Sequence, residues 1–365
     1  MMSDRINYQV IIVGGGPAGI ATSLTLTARG ISNCIIEADN QPKVKAGEAL
    51  PPNAKQLLIQ LNILDLVKHS KHIPYYGNKS CWGDTELQQK EFLKGVFGHG
   101  YLLDRQYFEK QLRDRVKTTS SILYEGFKLI TIENKPSRIE VEIEKDSKII
   151  KLAGSFIVDA TGRKASVSIK LGHLKQTLDT QFALIFKVKL NEQIEQQIFV
   201  EATENGWFYV APLGNNELNI MFFTLQNLIP LKKDLPQFLK RELKSTIHLY
   251  KFVMLSGSSL ENVKQIPAGT TRLSIPFGEN WLAVGDAAFS YDPISSYGIT
   301  SALGSGYYAG NAISDYLLGN KDGFNAYRYI LESAFATYME KLVQHYDIEK
   351  RWPESLYWKN RIKYF

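Results

Sequence analysis

Apolar positions along this chain follow two periods. From Tyr8 to Val13 they form one short run. Gly-Gly-Gly-Pro-Ala-Gly follows, then a stretch with helical spacing, then a second run that ends on Glu37. Short apolar runs bounded by glycine read as strands buried on both faces, so residues 8–40 predict a strand–turn–helix–strand unit. Similar runs return in FIVDATG (156–162) and in NWLAVGDAA (280–288). Strict alternation marks RIEVEIE, which with KIIKLAG flanks Lys145-Asp146-Ser147 and predicts a hairpin. Period two resumes over 181–224 in QFALIFKVKL, QQIFVEA, GWFYVAPL and ELNIMFFT, the signature of an antiparallel sheet. Helical spacing predicts helices over LLIQLNILDLVKH, over 102–118 entered through Asp104, and over 234–254, 299–318 and 323–350.

The order of these segments implies an α/β fold with discontinuous domains. A Rossmann-like domain would be assembled from 1–75, 100–175 and 270–320. An antiparallel β-sheet domain for substrate, from 76–99 and 176–269, would be inserted into it. A C-terminal helical segment would cover 321–365. The loop 41–56 ends in a Pro-Pro pair, and no internal repeat stands out.

The chemistry starts at the first turn. Gly14, Gly16 and Gly19 have G-x-G-x-x-G spacing, with Pro17 and Ala18 opening the helix. Gly14 permits the tight turn, Gly16 lets backbone approach a pyrophosphate, and Gly19 lets helix and strand pack closely. The helix N-terminus offers N–H groups to phosphates, and Glu37 is placed to accept from ribose hydroxyls. The motif occurs once, so a second, separate NAD(P)-binding domain is not expected.

Composition narrows the setting. The net charge of +6 is spread over 365 residues without a polybasic block, which reads as a solvated surface and not as a nucleic-acid site. Two cysteines, Cys34 and Cys81, make no disulfide framework and suit a reducing cytoplasm. The polar start shows no signal peptide, and no apolar run has the length of a membrane span. His69 and His72 share a helix face without further ligands in view and read as a solvated pair.

Three later segments extend the nucleotide site. Asp104-Arg105 opens a helix from which the arginine can reach a phosphate. Asp159-Ala-Thr-Gly162 ends a strand with small residues. Gly285-Asp286-Ala-Ala precedes Asp292-Pro293-Ile-Ser-Ser296-Tyr297-Gly298, where an aspartate can accept from a ribityl hydroxyl and a turn can face a flat ring. The ordered set GGGPAG, AGEALPP, LDR, DATG, GDAA and DPISSYG resembles FAD-dependent monooxygenases of the p-hydroxybenzoate hydroxylase type and their flavin-dependent halogenase branch. By that likeness FAD is held by Gly14, Gly16, Pro17, Ala18, Gly19, Glu37, Arg105, Asp159, Gly285 and Asp286. Glu48 and Ala49 match the halogenase-type GEA loop near the flavin, and Pro293, Ser296 and Gly298 lie beside the isoalloxazine.

The halogenase branch carries W-x-W-x-I-P and a lysine that handles hypohalous acid. Here the matching stretch is Trp207-Phe-Tyr209-Val-Ala211-Pro212, and the context of Lys79 does not match, so Lys79 reads as a surface lysine. GEALPP, the stretch 77–83, GWFYVAPL, DPISSYG and the tail RWPESLYWKNR look like flavoproteins of the LodB, GoxB and QhpG type. Those modify a tryptophan of a partner oxidase to build a tryptophylquinone. The resemblance implies a monooxygenase that hydroxylates an electron-rich aromatic ring, free or within a partner protein, through a C4a-hydroperoxyflavin. Electrons would come from NAD(P)H or a partner flavin reductase. Candidates for the substrate side are His99, Trp207, Tyr209 and Tyr297, with Trp82. The alternatives are a halogenase of an aromatic substrate and a saturase of the geranylgeranyl-reductase type.

Overall fold

Two seven-stranded sheets organise the molecule. The computed structural model describes residues 5–363 apart from 93–94, 136–137, 192–194, 256–259 and 261. The first sheet runs in the order Ile122–Glu125, Asn33–Glu37, Ile6–Val13, Lys148–Asp159, Arg138–Lys145 and Lys128–Lys135, with Trp281–Ala283 also paired to Lys148–Asp159. Strands 122–125, 33–37, 6–13, 148–159 and 281–283 are linked by parallel pairings, so Glu37, Val13, Asp159 and Ala283 finish at one edge. The chain leaves Ile6–Val13 through the helix Pro17–Ala28 to Asn33–Glu37 on one side, while Lys148–Asp159 pairs on the other. Such a reversal opens a crevice beyond the strand ends.

The expected hairpin closes through Asp146 (φ 48°) and Ser147 (φ 63°), two left-handed residues as a twist-matched two-residue turn requires. KIIKLAG and FIVD, read as separate strands, are one strand of 12 residues, Lys148–Asp159. Gly154 does not break it. A Cβ there would stand 3.0 Å from Ile11 Cγ1 of the paired strand, so the glycine leaves room for that neighbouring side chain.

Three helical expectations are also revised. The pattern at 57–69 holds a helix only over Ala54–Gln60. Asn62 takes φ 54°, and a short 3-10 turn, Leu66–Lys68, follows. The segment 234–254 splits into Leu235–Lys244 and Leu249–Leu255. The buried Glu201 carboxylate accepts from the backbone N–H groups of His248 (3.1 Å) and Leu249 (2.9 Å), starting the second helix afresh. The expected helix over 102–118 begins at Arg105, with Asp104 accepting from Tyr107 N at 2.9 Å, because Gly100–Leu102 is a strand.

The second sheet runs in the order Lys264–Pro267, Gln181–Lys189, Glu217–Leu225, Gly206–Gly214, Gln197–Thr203, Gly77–Cys81 and Gln88–Glu91. Both of its faces are covered. Phe208, Val210, Ile220 and Phe222 pack in one cluster with Phe238 and Leu239 of the helix Leu235–Lys244. Trp207, Tyr209, Met221 and Phe223 form the opposite face, in a cluster with Tyr346, Tyr357 and Trp358 from the C-terminal helices. The helix Gly298–Leu317 lies on Pro17–Ala28 so closely that a Cβ at Gly306 would fall 2.3 Å from Ala18 O. Its small residues therefore serve packing. Among the described residues no helix is long and apolar enough to cross a membrane.

Candidate active site

A cavity of about 790 Å³ opens where the parallel strand ends meet the second sheet. At one end it is bounded by Gly14, Gly16, Pro17, Ala18 and Glu37. The middle holds Ala46, Gly47, Ala49, Arg105 and Asp286. At the other end Pro293, Ser296, Tyr297 and Gly298 face Ala183, Tyr209, Met221 and Phe223 of the second sheet.

The glycines divide by what a side chain would meet. At Gly14 (φ +114°) a Cβ would stand 2.2 Å from Ala160 O, and at Gly19 it would stand 1.9 Å from Gly14 O. Both hold strand and helix together, and Gly19 does not line the cavity. At Gly16 and Gly298 a Cβ would meet nothing within 4 Å. These two residues thus leave room over backbone. Gly16 is also the N-cap of Pro17–Ala28 and supplies no side-chain cap, which leaves first-turn N–H groups toward the cavity.

Glu37 is held by Gly15 N at 2.6 Å and Asp39 N at 2.8 Å, with an Arg113 guanidinium nitrogen 3.5 Å away. Arg105 donates to Gly47 O at 2.8 Å and Ala46 O at 3.1 Å, and pairs with the buried Glu109 at 2.8 Å. Its Nε is buried without a hydrogen-bond partner. Asp286 is about a third exposed (37%), with Arg163 Nε 3.7 Å from its carboxylate. Lys175 Nζ donates to the carbonyls of Asp286 (2.8 Å) and Arg163 (2.7 Å), and burial lowers its pKa to about 8. A long ligand fits this chemistry. It would offer anionic groups to a helix start and an arginine, hydroxyls to two carboxylates, and a flat ring to a glycine-edged loop.

Several expected site residues lie behind the lining. Asp159 is fully buried, and its carboxylate accepts from Thr161 N and Oγ1 and from Ser168 N and Oγ, at 2.6–3.0 Å. It folds its own turn. Gly285 (φ +56°) would place a Cβ 2.9 Å from that of Ala18, so it serves packing. Glu48 points away, accepting from Asn219 Nδ2 at 2.6 Å, and its Oε2 is buried without a partner. Burial raises its carboxyl pKa to about 7.

On the substrate side, Tyr209 and Tyr297 line the cavity, whereas Trp207, His99 and Trp82 do not. Trp207 is fully buried behind Phe223, stacked on it at 4.1 Å. Alternation places Trp207 and Tyr209 on the same face, yet the cavity reaches only as deep as the Phe223 ring. His99 sits against Tyr101 (5.0 Å) and Tyr76 (5.9 Å), away from the lining, because the Gly98-His99-Gly100 loop leads into a small separate sheet. Lys79 pairs with Glu195 at 2.6 Å and is also outside the lining. His72 bonds Gln111 (3.0 Å) and Asp104 N (3.2 Å), a structural role.

The segments DPISSYG and RWPESLYWKNR meet in one constellation that neither motif foretells. Asp292, fully buried before Pro293, accepts from Ile294 N (2.9 Å), Gln181 Nε2 (3.1 Å), the Tyr346 hydroxyl (3.0 Å) and Arg361. Arg361 also pairs with Asp179 at 2.9 Å. The loop beside the cavity is thus pinned by the C-terminal helix Leu356–Lys363. No local pattern marks this; the only hint is the aromatic, basic tail itself.

Known proteins share this fold. The family model for the FAD binding domain matches residues 7–329. LodB of Marinomonas mediterranea, named as an FAD-dependent oxidoreductase, is 27% identical over 364 residues and 97% of each chain is covered. The flavin-dependent halogenase CmlS is similar in structure, with a TM-score of 0.87 at 21% identity over 99% of this chain and 68% of that one. QhpG, a peptidyl tryptophan dihydroxylase essential for tryptophylquinone cofactor biogenesis, gives 0.78 at 19% identity over 97% and 78%. The glycine-edged crevice, the orphaned arginine nitrogen and these matches lead to one assignment: the chain belongs to the FAD binding domain family and is an FAD-dependent oxidoreductase.

Proposed function

We propose that this flavoenzyme hydroxylates an electron-rich aromatic ring, and that the ring is a tryptophan side chain of a partner oxidase undergoing quinone maturation. One observation carries the reading. The wall that faces the loop Pro293–Gly298 is apolar and aromatic, built from Ala183, Tyr209, Met221 and Phe223, and contributes no lysine. The lysines that line the cavity (Lys45, Lys128, Lys164 and Lys170) come from the nucleotide-binding segments. A halogenase lysine has no counterpart on that wall. The mouth is open as well: Tyr297 is 48% and Ile266 40% exposed, which suits a side chain presented by a macromolecule. The likeness to LodB and QhpG supports the same reading.

In this mechanism FAD, when bound, supplies the redox centre that activates oxygen. Its diphosphate would face Gly14, Gly16, Pro17 and Ala18 with Arg105 alongside. Its ribose would face Glu37 and its ribityl chain Asp286. Pro293, Ser296 and Gly298 would border the flavin ring. The protein's own residues position the substrate and exclude water. Tyr209 and Phe223, side by side on one wall, support the incoming ring. Burial raises the Tyr209 phenol well above its ordinary range, so it stays protonated and does not act as a base. Asp292 fixes the start of the flavin-facing loop through Ile294 N. Electrons come from NAD(P)H or a partner flavin reductase.

The test is product analysis. The FAD-loaded protein is reduced, then mixed with oxygenated buffer, an indole or tryptophan-peptide substrate, and bromide in half of the samples. Oxygen incorporated from labelled dioxygen, equally with and without bromide, is the expected outcome. A product that forms only with bromide, and carries it, replaces this reading with the halogenase. Reduction of an added alkene without oxygen uptake replaces it with the saturase.

A further inference from the structure

Four of the chain's five tryptophans form one ring-to-ring path from the cavity wall toward the surface. Phe223, which lines the cavity, stacks on Trp207 at 4.1 Å. Trp207 meets Trp82 at 6.2 Å, Trp82 meets Trp358 at 5.3 Å, and Trp358 meets Trp352 at 6.2 Å between centroids. Tyr346 touches Trp82 (5.7 Å) and Trp358 (6.0 Å) as a parallel branch. Trp207, Trp82, Trp358 and Tyr346 are buried, while Trp352 is partly exposed. Packing alone would be satisfied by phenylalanine or leucine. Along this line every ring beyond Phe223 is an indole or a phenol, the side chains most easily oxidised by one electron.

The hydrogen bonds suit charge movement. Trp207 Nε1 donates to the Tyr346 hydroxyl at 3.1 Å, which donates to the Asp292 carboxylate at 3.0 Å, so an oxidised Trp207 has a proton acceptor chain. Trp82 and Trp358 donate to the carbonyls of His345 and Thr203, both at 3.0 Å. A carbonyl does not take the proton, so an oxidised ring there stays a cation and passes its charge on. At the outer end the Arg351 guanidinium lies 4.4 Å over Trp352, but Glu349 offsets its charge at 2.6 and 2.9 Å.

We propose that this row of rings is a relay that carries a one-electron oxidising equivalent from the cavity to Trp352 when oxygen is reduced without an aromatic substrate in place. The inference rests on oxygen activation in the cavity, as in the proposed function. The oxidant belongs to the oxygen-radical class. A hydroperoxyl radical, the one-electron reduction product of oxygen, takes one electron from the inner end of the relay and one proton from solvent, and becomes hydrogen peroxide. Each ring is refilled by its outward neighbour. Trp352 finally loses one electron inward and its indole proton to solvent, and a soluble thiol returns one hydrogen atom to it.

Anaerobic flash excitation of the FAD-loaded protein tests the relay without oxygen chemistry, because photoexcited flavin itself withdraws the electron. Failure of the relay and failure of hydroxylation are thereby separable. A tryptophan-radical absorbance that outlasts the flash is expected in the wild type. Trp358→Phe and Trp352→Phe should each shorten its lifetime by an order of magnitude or more, since a charge stopped inside returns to the flavin. Trp281→Phe, outside the path, should leave it unchanged. Trp352→Phe alters a partly exposed position and keeps the test valid if Trp358→Phe does not fold. Equal lifetimes in wild type, Trp352→Phe and Trp358→Phe overturn the proposal. A second readout is peptide mapping after uncoupled turnover in catalase-containing buffer. Oxidation at Trp352 should fall in Trp358→Phe and move to Trp82 and Trp207. Unchanged oxidation at Trp352 in that variant means attack from solution and also overturns it.

Discussion

The two ends of the cavity are built by different means. At the end lined by Gly14, Gly16 and Glu37, the nucleotide end in the proposed function, the partners are close in sequence and mostly backbone: Glu37 reaches Gly15, 22 residues away, and Asp159 serves groups two and nine residues ahead. At the opposite end, the substrate end in the proposed function, the partners are side chains from distant segments. Asn219 and Glu48 are 171 residues apart, Trp207 and Tyr346 139, and Tyr357 and Gln181 176. The first end is therefore altered through space at glycines. The second is altered through single charges, because its polar groups are buried in a low-dielectric core and have few substitutes.

Arg361 gives the largest expected effect. It is fully buried between Asp179 and Asp292. Arg361→Met leaves both carboxylates without that counter-ion, and a loss of about 3–5 kcal/mol in urea unfolding is expected. Burial raises the Asp292 carboxyl above its ordinary value of 3.8, and Arg361 opposes the rise. In the variant the folded value climbs further, so the folded state binds more protons than the unfolded one. Stability is then fully present below the unfolded value and lost as pH rises through the folded value. The deficit of Arg361→Met should accordingly shrink as pH falls toward 3.8. A deficit independent of pH would assign the loss to packing, and the contrast between the two ends would weaken.

Glu48 comes next. Its folded carboxyl titrates near 7 against an ordinary 4.5, with burial the dominant cause. The sign is the same: the neutral carboxyl is favoured in the fold, and stability falls as pH rises from about 4.5 through about 7. The total is at most about 3.5 kcal/mol, taking about 1.4 kcal/mol per unit. Glu48→Gln keeps the shape and should flatten that part of the pH–stability curve. A variant curve parallel to the wild type would exclude Glu48 as its source.

This difference also explains what the sequence makes legible. The helix packing of Gly19, the position of Glu37 and the hairpin at Asp146-Ser147 follow from rules that act over a few residues. The antiparallel pairing of the second sheet is visible in its period-two segments, but the burial of both its faces is not. Nor is the depth of the cavity. Whether Trp207 or Phe223 borders it depends on which ring the opposite strand inserts, and both satisfy the same alternation. Arg361 and Asp292 likewise meet only because the C-terminal helix returns across the sheet. Asp159 was legible as a strand-end carboxylate, but its use for its own turn depends on Ser168, which the motif does not include.

A glycine pair sharpens the comparison at the nucleotide end. Gly19→Ala forces a methyl to within 1.9 Å of Gly14 O, so backbone must move. A destabilisation of about 1–3 kcal/mol is expected in the flavin-free protein, with FAD occupancy falling as well. Gly16→Ala meets nothing within 4 Å and should leave flavin-free stability unchanged while lowering FAD occupancy. Equal unfolding midpoints for the two variants would contradict the division into packing and ligand-facing glycines.

The smallest expected effect belongs to Glu37. Its two oxygens accept from Gly15 N and Asp39 N at 2.6 and 2.8 Å, and Arg113 stands 3.5 Å away. Glu37→Gln keeps the length but offers one acceptor, so its NH2 group must face one of those N–H donors. One charge-assisted hydrogen bond is lost, about 1.5 kcal/mol, which corresponds to about a tenfold weaker FAD affinity if the carboxylate also holds the ribose. Fluorescence titration of the flavin-free protein with FAD measures this directly. Unchanged affinity, with a lowered unfolding midpoint, would make Glu37 a brace for the Gly15 turn alone. The nucleotide end would then bind through backbone and Arg105, and the contrast with the side-chain-built wall would become sharper.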